Sequence, residues 1–116
     1  GVWAGWYTAA TDMDGLLRWA YNSWTKDPIS DSRFTAWPAG DTYQVYPGPL
    51  SSIRFEKLIE GIQDFEKISL LRRQYKEKGE TARLNELEAA LKTFKIKELS
   101  KQSAQQMVEK YKHLLN

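Results

Sequence analysis

The residues able to do chemistry fall in two groups. The first lies between residues 22 and 50, where Trp24, Trp37 and Tyr46 are interspersed with Asn22, Asp27, Asp31, Arg33 and Asp41. Aromatic rings stack on the C–H faces of a pyranose, while Asp, Asn and Arg take its hydroxyls. That mixture suits a polar ligand with apolar faces, and a sugar fits the description. The same Trp24, Trp37 and Tyr46 would equally serve to pin a long loop to the body of the protein, and the residue types alone leave both readings open. A stretch of this length without regular structure is uncommon in a compact domain and is often functional.

The second group is acidic. Glu60, Asp64 and Glu66 fall within a strongly periodic helical segment and are expected to form a solvated helix face rather than a catalytic pair. No other chemistry stands out. The chain has no cysteine, which excludes disulfides and thiolate metal sites, and its single histidine, His113, cannot make a zinc site. No metal site and no cofactor are expected. The basic residues between Lys92 and Lys112 alternate with Glu98 and Glu109 without interleaved aromatics, so no nucleic-acid partner is expected. The net charge of +2 gives no strong steering field.

The elements that must position these groups divide the chain into two unlike parts, 1–50 and 51–116. All five Trp precede Pro38, whereas most Lys and Glu follow residue 53. Residues 2–11 carry Trp3, Trp6, Tyr7 and Ala10 at helical spacing, as for a short helix packed on a core. Met13-Asp14-Gly15 then punctuates the start of a run with Leu17, Trp19 and Tyr21 on one face and Leu16, Arg18, Ala20 and Asn22 on the other. This reads as a strand over 16–21 that is apolar on nearly both faces, the kind covered on both sides inside a sheet. The chain offers it no obvious parallel partner. Arg18 there needs an acidic partner or solvent, because an unpaired buried charge costs several kcal/mol. Thr42–Tyr46 alternates weakly and ends at Pro47-Gly48-Pro49, as a short strand or extended arm.

After Ser51 or Ser52, a good N-cap, Ile53, Leu58, Ile59, Ile62, Phe65, Ile68 (or Ser69) and Leu71 recur at three- and four-residue spacing. Gly79, following Lys76 and Lys78, is the expected stop, giving a helix over 52–78. A second helix is expected over 81–95, with Leu84, Leu87, Leu91 and Phe94 inward. A third is expected from Ser100 or Ser103 to Leu115, with Met107, Val108, Tyr111, Leu114 and Leu115 inward. Short connections make these neighbours close to antiparallel. The fold class is mainly α. No run approaches the ~18 apolar residues that span a membrane, and no membrane partner is expected. The chain does not begin with Met, so a natural start upstream of Gly1 is expected.

Several short motifs stand in one order: Gly15-Leu-Leu-Arg-Trp-Ala-Tyr-Asn-Ser-Trp24, Asp27-Pro28, Gly40-Asp41, Val45-Tyr-Pro-Gly48, Ser52-Ile-Arg-Phe-Glu56 and Gly61-Ile-Gln-Asp-Phe-Glu66. Over roughly residues 3–78 this set resembles the C-terminal end of a glycoside-hydrolase-like catalytic domain related to the β-N-acetylgalactosaminidases of glycoside hydrolase family 123. The resemblance implies a C-terminal fragment of a (β/α)8 barrel. Residues 2–11 would close its seventh helix, 16–21 would be its last strand, 22–50 a long loop and 52–78 its last helix, with two further helices as a variable tail. The loop after the last strand would then face the substrate, since these barrels build their sites from loops at the C-terminal ends of the strands. The motif positions that would contact the sugar are Arg18, Trp19, Tyr21, Asn22, Trp24 and Asp41. The implied substrate is a glycan of the N-acetylated hexosamine type, and the implied location extracellular or periplasmic. Relatives work by substrate assistance, with neighbouring acids on an earlier strand. Nothing here matches those acids, so the chain alone is expected to be inactive and, with an unpartnered strand, able to self-associate. A carbohydrate-binding module or a helical protein-interaction module would need no such acids.

Overall fold

The computed structural model describes residues 1–17, 20–32, 38, 41–48 and 50–116. Among the described residues the regular structure is helical. It consists of α1 (Val2–Ala10), α2 (Ile53–Lys78), α3 (Thr81–Leu91) and α4 (Ala104–Tyr111), with 3-10 segments at Ile96–Ser100 and Lys112–Leu115. Only two isolated antiparallel bridges are present among these residues, Asn22 with Tyr43 and Tyr46 with Leu50, so the protein is mainly α. None of these helices is long and apolar enough to cross a membrane. The chain forms two compact units: Gly1–Leu16 with Leu58–Asn116, and Leu17–Lys57.

The helical unit is built around Trp6, Ala9, Ile68, Leu87, Leu91, Phe94, Met107, Val108 and Leu115, all buried. Each large apolar side chain here contributes about 1.5–3 kcal/mol by leaving water. Trp6 stacks on Phe94 with ring centroids 5.1 Å apart, and Trp3 donates its indole N–H to Met107 Sδ at 3.3 Å. The aromatic face expected for α1 is therefore a core face. Of the apolar positions expected inward on α2, Ile68 is fully buried, whereas Ile53 and Ile62 are 81% and 54% exposed. The α1 and α2 main chains touch at a pair of glycines. A methyl group on Gly5 would run into the Gly61 carbonyl, and one on Gly61 would lie 2.7 Å from the Gly1 carbonyl oxygen. Only residues without a Cβ allow that approach.

Helix ends follow local chemistry. Ser52 Oγ accepts the Phe55 N–H at 3.1 Å, opening α2. At the other end Gly79 has φ +69°, Glu80 N–H donates to Tyr75 O at 2.9 Å and Gly79 N–H to Lys76 O at 3.4 Å, the Schellman pattern. The second helix stops at Leu91, earlier than its apolar spacing suggests. Thr93 and Phe94 N–H bond back three residues, to Ala90 and Leu91, and this tight turn still delivers Phe94 to the core. The third helix is split. Ser103 and Gln106 form a reciprocal capping box, so the α-helix begins at Ala104. Arg72 makes a two-point ion pair with Glu88 at 2.6 and 3.0 Å and caps the end of α1 through Ala9 O at 3.0 Å.

The strand expected over 16–21 does not form at its described positions. Leu16, Leu17 and Ala20 are irregular, Tyr21 is a bend, and pairing starts only at Asn22. Leu16 and Leu17 are 57% and 98% exposed. A strand apolar on both faces persists only where neighbouring strands take its N–H and C=O groups. Among the described residues, the 42–46 segment meets it from Tyr21 onward.

Candidate functional site

The loop unit is assembled around one antiparallel crossing. Ser23 N–H donates to Thr42 O at 3.0 Å, Gln44 N–H donates to Tyr21 O at 2.8 Å, and the Thr42 hydroxyl donates to Ser23 O at 2.6 Å. Tyr43, opposite Asn22, is completely buried. Its hydroxyl donates to Pro28 O at 3.2 Å, and its ring meets Tyr46 edge-on at 5.6 Å. The first turn of α2 supports this segment. Arg54 lies 5.0 Å over the Tyr43 ring and donates from Nε to Tyr43 O at 3.3 Å, and Ser52 Oγ donates to Gln44 O.

On this base Tyr21, Asn22 and Trp24 are displayed in sequence. Tyr21 is 54% exposed and packs edge-on against Phe55 at 5.9 Å; Asn22 is exposed. Trp24 commits its indole N–H to Val45 O at 2.7 Å yet remains 38% exposed, so the ring is both anchored and accessible. Asp41 immediately precedes Thr42, and the two Thr42–Ser23 hydrogen bonds draw it beside the 22–24 segment. Its own N–H donates to Pro38 O at 3.0 Å. The loop thus folds back on its own start, bringing Tyr21, Asn22, Trp24 and Asp41 into one unit. Arg18 and Trp19, and Trp37 of the wider loop, lie outside the described residues. This arrangement offers an aromatic surface flanked by amide, phenol and carboxylate groups, which suits stacking and hydroxyl recognition. No group of three His, Asp or Glu residues able to hold a metal occurs among the described residues.

Two features escaped the sequence reading. Tyr43 and Arg54, which hold the site together, lay in a segment of weak alternation and at the start of a helix. Because residues 42–44 are all buried, no two-residue period marks them. The other is a correction. Asp64 is not on a solvated face: it is 6% exposed in the helical unit and accepts from Trp6 Nε1 at 2.8 Å and from Lys112 Nζ at 2.6 and 2.7 Å. Glu60 joins the cluster, 3.1 Å from Lys112. Burial works against the Lys112 ammonium, but hydrogen bonds from it to Asp64 and Glu60, with their negative charges, outweigh this and raise its pKa above 10.5. The available signal was positional, because Asp64 shares the buried face of α2 with Gly61 and Ile68. With the indole and the ammonium both occupying Asp64, the cluster joins α1, α2 and the C-terminal 3-10 segment and leaves Asp64 committed to structure.

Comparison with known families matches residues 1–71 to the glycoside hydrolase 123 catalytic domain, a span that contains α1, the whole loop unit and α2 as far as Leu71. No curated protein matches the chain.

Proposed function

The chain belongs to glycoside hydrolase family 123, and from that premise we propose that Tyr21, Asn22, Trp24 and Asp41 form part of the glycan-binding face of its catalytic domain. The observation that carries this reading is the anchored but accessible Trp24, set beside exposed Asn22 and Tyr21 by the 21–23/42–44 crossing. The substrate class is a glycan bearing N-acetylated hexosamine. The surrounding architecture is a (β/α)8 barrel in which 16–21 takes the place of the last strand and α2 that of the last helix. The aliphatic side chains of Leu16 and Leu17, exposed here, support that placement because such side chains are covered inside a barrel. The acids that orient the acetamido group and protonate the leaving oxygen belong to earlier strands, so this chain binds and positions but does not cleave. An extracellular or periplasmic setting fits such a substrate.

The test uses an aryl β-N-acetylgalactosaminide. The chain alone should release no phenol. In the enzyme that carries this chain, Asn22→Ala should raise KM by several-fold, since it removes one donor and one acceptor for sugar hydroxyls. An enzyme that is inactive on N-acetylhexosaminides while the chain binds them would favour a carbohydrate-binding module. Unchanged KM in Asn22→Ala would overturn the glycan-site reading.

A further inference from the structure

We infer that Arg54 is a positioning residue for the sugar-facing segment 21–24, acting through Tyr43; this rests on the glycan-site reading above. Three residues of one short stretch at the start of α2 each hold a different part of the loop. Ser52 donates to Gln44 O, Arg54 grips Tyr43, and Phe55 backs Tyr21. Arg54 makes two independent contacts with the same residue, the cation over the ring at 5.0 Å and Nε to the main-chain carbonyl at 3.3 Å. Together they fix both the tilt of the Tyr43 ring and the height of its peptide. That peptide lies between Thr42 and Gln44, whose hydrogen bonds hold Ser23 and Tyr21. A shift of Tyr43 is therefore passed directly to the residues that flank Asn22.

The arrangement is poor for stability alone. Nη2 of Arg54 is buried with no hydrogen-bond partner among the described residues, and no carboxylate among them pairs with the guanidinium. A charged donor left unsatisfied works against folding. A methionine of similar length would fill the same space without that cost. The guanidinium is accounted for by what a methionine cannot do, which is to hold the Tyr43 carbonyl in one place while its charge orients the ring. Supporting groups of this kind are what keep a binding residue in its working geometry.

The experiment compares Arg54→Met, Arg54→Lys and Asn22→Ala in the enzyme that carries this chain, with amide hydrogen exchange of the chain itself. In Arg54→Met, exchange at the Ser23 and Gln44 amides should accelerate by about tenfold or more, while Lys92, bonded to Glu88 O in the helical unit, is unchanged. KM for the aryl β-N-acetylgalactosaminide should rise by about tenfold with kcat within about twofold. Arg54→Lys, which keeps a cation over the ring, should recover most of the KM. If exchange accelerates but KM does not move, Arg54 is merely structural and the inference is overturned. If Asn22→Ala also leaves KM unchanged, the glycan-site reading itself has failed; if Asn22→Ala raises KM and Arg54→Met does not, only the positioning role has. Should Arg54→Met not fold, Arg54→Gln, which keeps an N–H donor without charge, is judged by the same exchange and KM criteria.

Discussion

Replacing Asp64 by Ala tests the buried cluster of the helical unit. Asp64 serves two donors of different kinds, the Trp6 indole, whose residue is fully buried, and the Lys112 ammonium, whose side chain is 39% exposed. Alanine leaves the indole N–H buried without an acceptor, at a cost of about 1–3 kcal/mol. Lys112 loses its nearest partner but can turn to water and to Glu60, so that loss is discounted for screening to about 1 kcal/mol. The expected total is about 2–4 kcal/mol. Asn at the same position keeps a carbonyl for the indole and gives up only the charge, so Asp64→Asn should cost about 1 kcal/mol. The gap between the two variants isolates the indole hydrogen bond. Urea unfolding followed by far-UV circular dichroism measures both, with the slope unchanged if only native-state contacts are lost. Indistinguishable stabilities for Asp64→Ala and Asp64→Asn would show that the Trp6 bond contributes nothing and refute the reasoning.

Two further perturbations address the same unit. Gly5→Ala would ordinarily gain up to about 1 kcal/mol of helix propensity. Here its methyl meets the Gly61 main-chain carbonyl, so the urea midpoint should fall, and a rise would show that α1 and α2 can separate freely. The raised Lys112 pKa adds stability that is complete below the ordinary lysine value of 10.5 and is lost as pH climbs through the higher folded value. The melting temperature of the native chain should therefore converge on that of Lys112→Met as pH rises above 10.5, and a constant difference across that window would contradict the cluster's charge.

What could be read from the sequence was what local pattern decides. The helix over 52–78 was legible because apolar spacing, a serine cap and a glycine stop agree, and each acts within one or two turns. The break at Leu91 was not legible from periodicity, since Phe94 remains inward although it has left the helix, whereas Ser103 was one of the two starts the serines offered, and its capping box with Gln106 selects it. The Asp64 cluster joins residues far apart in the chain, Trp6, Asp64 and Lys112, a pairing no local pattern encodes. The run at 16–21 has strand chemistry, but a strand also needs neighbours, and hydrophobic alternation does not say whether they are supplied. In the candidate site, the residue types around Trp24 and Asp41 suited a sugar and equally a pinned loop. Their assembly depends on a loop closing on itself through Tyr43 and Arg54, which composition does not reveal.

The central claim, that the loop unit displays glycan contacts in a family 123 catalytic domain, is tested most directly by kcat/KM of the enzyme carrying Trp24→Ala, with its melting temperature measured in parallel. Trp24 is tied to Val45 O but keeps 38% of its surface open. If that surface meets sugar, kcat/KM for an aryl β-N-acetylgalactosaminide should fall by about tenfold or more, equivalent to at least ~1.4 kcal/mol of transition-state binding, with little change in melting temperature. A melting temperature that drops while the folded fraction keeps normal kinetics would make Trp24 a loop pin and contradict the account.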